Sequence, residues 1–119
     1  MDVVVLRVTE RGEFIEQLTD QLAERGITDA AVISIVGAVR TATLATMKAD
    51  DPKTTTYSDH KFAEVSGVGE IEGGKPNLHV TLGLEGGQAF AGHLQAATVG
   101  GPYFVNVYLA GCTKPPASR

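Results

Sequence analysis

The chain has 119 residues, 43% of them apolar and 20% charged, which is the makeup of one globular domain and too little length for a second core. Its formal net charge of -4, with basic and acidic residues interleaved (Arg7, Glu10, Arg11, Glu13; Lys48, Asp50, Asp51, Lys53), argues against a surface built to neutralise phosphates. A single cysteine, Cys112, rules out an internal disulfide. With no long apolar run and no signal-peptide pattern at the start, no membrane span is expected and the cytoplasm is the expected compartment.

The β-branched run Val3 to Val8 predicts a buried strand. In "GEFIEQLTDQLAERG" the residues Phe14, Ile15, Leu18 and Leu22 recur at helical spacing, and Gly26 suits the left-handed position just past a helix end. Ala30 to Met47 has β composition but is too long for one flat strand, so a bulge or bend is expected at Gly37. The segment "KADDPKTTTYS" reads as an exposed loop of about eleven residues. From His60 to Gly74 alternation resumes, with Gly67 and Gly69 suited to a curved strand. "PYFVNVYLAG" predicts the last strand, so the domain spans 1–111 and a flexible tail follows over 112–119.

The most informative stretch is "PNLHVTLGLEGGQAFAGHL". Two strands, Leu78 to Leu84 and Gln88 to Leu94, joined by Glu85-Gly86-Gly87, form a hairpin of common length with glycines free to adopt positive φ. Leu84, Leu82, Val80 and Leu78, with Phe90 and Leu94, then face the core. The opposite side sets Gly83 against Ala89, Thr81 against Ala91, His79 against His93 and Asn77 against Gln95. The imidazoles become cross-strand neighbours with Cβ atoms roughly 5 Å apart. A two-residue turn would shift the pairing by one and mix the faces.

His79 and His93 are therefore the candidate metal ligands, with zinc or another divalent transition metal as the suited ion, and Asn77, Thr81 and Gln95 the candidate ligand-binding residues beside them. Two imidazoles are too few for a stable zinc site; His60, Glu64 or a group from a second subunit are the options for completing it. The competing reading is a hydrogen-bonded histidine pair with a structural role only. His60, beside Asp59, reads as a surface residue, and Cys112 as an inert thiol.

The segments "AVISIVGAVRTATL" and "FAEVSGVGEIEGGKPNLHVTLGLEGGQAFAGHL", after an N-terminal strand and helix, resemble the plant-and-prokaryote-conserved (PPC) domain, known in plants as the partner of AT-hook motifs. The likeness covers about Val3 to Leu109. It implies an α+β fold, a largely antiparallel curved sheet with one main helix packed on it, assembling as a homotrimer. The order of elements read from the residues agrees with that fold.

The resemblance also implies a metal at an H-x-H pair and a following histidine, which by position are Asn77, His79 and His93. Asn77 departs from the pattern, as does Ala91 where glycine is usual. The expected function is that of a regulatory or interaction module whose partners are copies of itself and another protein or a small ligand. DNA binding is an alternative disfavoured by the acidic balance and the absence of an Arg-Gly-Arg core. A metal-dependent enzyme, with Glu64 or Glu70 as base, is a further alternative.

Overall fold

The computed structural model describes residues 2–112, and its largest unit is one very long antiparallel hairpin: β2 (Ala30–Lys48) runs back along β3 (Asp51–Glu72). The expected loop at 48–58 does not exist. Thr46 pairs with Thr56 and Met47 with Thr55, so the two strands continue as a ribbon that turns only at Ala49 and Asp50. Threonine and tyrosine are good strand formers, and here that preference prevails over the loop signal of Pro52 and the charge cluster. Thr46 and Thr56 bond through their hydroxyls at 2.9 Å across the ribbon. Every residue from 46 to 59 is exposed, so this arm extends away from the core.

β1 (Val3–Val8), α1 (Phe14–Glu24), β4 (Lys75–Gly83), β5 (Ala89–Thr98) and β6 (Val105–Gly111) complete the fold. The sheet order is β1-β6-β2-β3-β4-β5, all neighbours antiparallel, and β5 also pairs with β2. The strands β2, β3, β4 and β5 therefore close into a ring, with β6 and β1 continuing the sheet from the first half of β2. This is the expected α+β architecture with one helix.

The apolar stripe of α1 is the reason the helix packs: Phe14, Leu18 and Leu22 are fully buried among Leu6, Val8, Ile35, Leu44, Leu82, Leu94 and Val107. Glu13 ties its start in two directions. One carboxylate oxygen accepts from the Glu16 amide at 2.9 Å as an N-cap, and the other accepts from Ala97 N in β5 at 2.9 Å. Gln17 clamps both backbone groups of Thr9, and Gln21 donates to the Arg7 carbonyl, fixing the helix to the chain leaving β1. Gly26, at φ 66°, ends it in the left-handed conformation expected from sequence.

Several details differ from the sequence expectation. β2 slips at Ile33 and Ser34 against both β3 and β6, again between Thr43 and Leu44 against β5 and between Met47 and Lys48 against β3, and not at Gly37. Gly37 is glycine because a Cβ there would meet the Phe104 carbonyl oxygen. The last strand begins at Val105, which leaves Pro102, Tyr103 and Phe104 in the preceding turn. Phe90 is 40% exposed and does not reach the core; it lies against His60 with ring centroids 4.6 Å apart. Of the predicted tail, Cys112 is exposed and 113–119 lies outside the described residues.

Gly67 in β3 has the same kind of constraint as Gly37: a Cβ would drive into the His79 carbonyl oxygen of β4 and against Val80. We expect Gly67→Ala to destabilise the fold by about 1–3 kcal/mol, the usual cost of overpacking, as read by the urea midpoint. An unchanged midpoint would show that β3 and β4 need not approach so closely.

Candidate functional site

The hairpin of β4 and β5 has the register its leucines dictate. Leu82 opposes Phe90, Val80 opposes Gly92 and His79 opposes His93, while the Leu84 amide donates to the Gln88 carbonyl at 2.7 Å to close the three-residue connection. Gly86 and Gly87, at φ 79° and 78°, make that turn possible. Leu78, Val80 and Leu82 are buried, so Asn77, His79 and Thr81 must point to the outer face of the sheet.

The two imidazoles stand on that outer face with ring centroids 6.1 Å apart and planes at 70°. His79 is exposed and His93 half-buried, and among the described residues neither ring is held by a protein hydrogen bond. They lie in the middle of a row that runs round the strand ring. Val68 opposes His79, His93 opposes Ala45, and Ala45 opposes Tyr57. The row is thus apolar or small on both sides of the histidines, with Val68 55% and Tyr57 63% exposed.

The other candidates are dispersed. Thr81, opposite Ala91, is on the same face one pair further along. Asn77 is there too, but its partner is Glu70 on β3. Pairing of β4 with β5 ends at the histidines, and Gln95 sits at the slip where β5 leaves β4 for β2, so the expected Asn77–Gln95 pair does not form. Glu64 is opposite Gly83, two pairs from the histidines. His60 is half-buried, not a free surface residue. Its Nε2 is 2.9 Å from Ser58 Oγ and its ring lies on Phe90, which points to the opposite side of β5 from His93. His60 therefore does not complete the pair.

The 6.1 Å between centroids is within the span of two metal–nitrogen bonds of about 2 Å plus the half-widths of the rings. Among the described residues, however, no group of three or more His, Cys, Asp or Glu comes together. One chain supplies two good donors, and the remaining positions would fall to water, to a ligand or to a second chain. Among the described residues no helix is long and apolar enough to cross a membrane.

A family model for the Plants and Prokaryotes Conserved (PCC) domain matches residues 1–111. The chain belongs to this family. PCC structures similar to it include a plant- and prokaryote-conserved protein from Pyrococcus horikoshii, at 22% identity and a TM-score of 0.78, covering 96% of this chain and 81% of that one. A metal-containing protein from Archaeoglobus fulgidus is 29% identical with a TM-score of 0.70, covering 93% and 81%. A candidate DNA-binding protein from Ralstonia eutropha is 18% identical with a TM-score of 0.76, covering 92% and 78%. No curated protein sequence matches the chain.

The His79–His93 face can be tested by adding the donor it lacks. Asn77 is two residues from His79 on the same outer face, so Asn77→His would place a third imidazole beside the pair. We expect its zinc affinity to rise at least about tenfold over the unmodified protein in a chelator competition titration. Equal affinities would mean that the face does not gather donors on one ion.

Proposed function

We propose that this PCC-domain protein is a homotrimeric regulatory or interaction module of the cytoplasm whose His79/His93 face, beside a subunit boundary, takes a divalent transition metal such as zinc or a small polar ligand. The observation that carries the reading is the cross-strand imidazole pair, unengaged by protein hydrogen bonds, set in a row of exposed apolar and small residues. Neutral imidazoles are ready donors, and the incomplete ligand set calls for groups from outside the chain. A bound ion would supply Lewis acidity or a rigid cross-link; His79 and His93 would hold it, and Asn77 and Thr81 would orient what else binds.

Assembly is supported by the apolar surface left on the outer sheet face, where Val3, Val5, Ile33, Val36 and Val68 are each between 44% and 55% exposed. A face of that kind is an aggregation hazard unless covered. Its closure by two further copies is what the family resemblance implies, and the similarity to a metal-containing protein at 29% identity supports the metal. Turnover is the weaker reading, because Glu64 and Glu70 each lie beside other residues and neither is paired across from a histidine.

Similarity to candidate DNA-binding proteins favours a second reading, direct DNA binding, against which the net charge of -4 stands.

We expect light scattering to give a mass three times that of the chain, and elemental analysis of protein purified without a polyhistidine tag to find metal that His79→Ala and His93→Ala remove. A monomer mass, or metal unchanged in both variants, would overturn the proposal. DNA binding predicts affinity at low salt that falls steeply as salt is added; no complex at low salt would end that reading.

A further inference from the structure

A groove of about 980 Å³, lined in part by Val36, Phe62, Tyr103 and Phe104, opens on the outer face, where closure by further copies would cover it. The opposite side of β3 carries a different feature. Ser58 and His60 stand two residues apart on one side of the strand, and their cross-strand partners Leu44 and Ala42 are buried. The pair therefore sits at the rim of the core and is turned away from His79 and His93.

His60 Nε2 lies 2.9 Å from Ser58 Oγ. The imidazole is half-buried and rests on Phe90, with ring centroids 4.6 Å apart, which holds its nitrogen toward the hydroxyl. Ser58 itself is exposed. A serine hydroxyl is a weak nucleophile until a neighbouring base accepts its proton, and hydrogen-bond reach is the condition for that transfer. In a catalytic triad a carboxylate orients the base. Here Asp59 is on the other side of the strand, where it accepts from Thr43 Oγ1 at 2.7 Å, and the Phe90 ring does the orienting.

The strand supplies a third element. Over 51–63, β3 is paired with β2 alone, because its pairing with β4 begins at Glu64. Every second residue along that edge presents a backbone N–H with no strand opposite it among the described residues. Ser58 lies within this stretch, so donors for a developing oxyanion stand beside the nucleophile.

We propose that Ser58 is an acyl-accepting serine with His60 as its base, and that its donors are small activated acyl compounds, thioesters or aryl esters, whose acyl group rests on Phe90. Ser58 Oγ attacks the acyl carbon as its proton passes to His60 Nε2. The bond from that carbon to the leaving sulfur or oxygen breaks, and the imidazolium returns the proton to the leaving group. The product is an ester on Ser58. This chemistry is separate from the His79/His93 pair and stands whether or not that pair takes a metal.

The test is treatment of the full chain with p-nitrophenyl acetate, with the acetylated residues located and timed by peptide mass spectrometry. Ser58 is expected to acetylate at least about tenfold faster than Ser66, an exposed serine of the same strand that serves as an internal control. His60→Gln, which keeps an acceptor for the hydroxyl but has no basic nitrogen, should slow Ser58 to the rate of Ser66. Equal rates at the two serines in the unmodified protein, a Ser58 rate unchanged in His60→Gln, or adducts confined to the histidines would each overturn the proposal.

Discussion

The architecture depends on one constraint: the sheet has been curled until β5 meets β2, so that the β4 and β5 hairpin must hold its leucines inward, while β2 and β5 slip register where they meet their further partners. Leu78, Val80 and Leu82 can all be buried only if Asn77, His79 and Thr81 are not. The histidines thus come together as a consequence of burying leucines, without needing any attraction of their own. The same closure demands tight strand crossings, which is why glycine stands at 37 and 67.

Where burial decided the outcome, the residues themselves announced it. The helix stripe of Phe14, Leu18 and Leu22, and the hairpin folded about Gly86, are regular apolar periods with a turn that only glycine accommodates readily. The His79–His93 pairing was legible for that reason. What was not legible lies where burial says nothing. The segment 48–58 has no buried residue to set a period, so its continuation as paired strands depends on backbone hydrogen bonds to a partner that sequence does not identify. Phe90 reads as core from its register, but its position beyond the rim of the ring leaves it beside His60.

The groove illustrates a further limit. Val36, Phe62 and Phe104 are ordinary strand residues in sequence, separated by tens of positions, and nothing local signals that they converge. The backbone angle at Phe62 and the late start of the last strand, which leaves Tyr103 and Phe104 in the preceding turn, create the concavity. Glu64, on β3, and Glu85, in the turn after β4, come to the same concavity only once β3 lies beside β4. Sites assembled across a sheet in this manner are visible in coordinates and nearly silent in composition.

The arm beyond residue 46 has no buried residue among those described, so the core does not set its length. Adding two residues to each strand between the ring and Met47 or Tyr57 would extend the arm and leave both on their present side, whereas adding one to each there would turn both over. Length can therefore change in even steps without disturbing the ring.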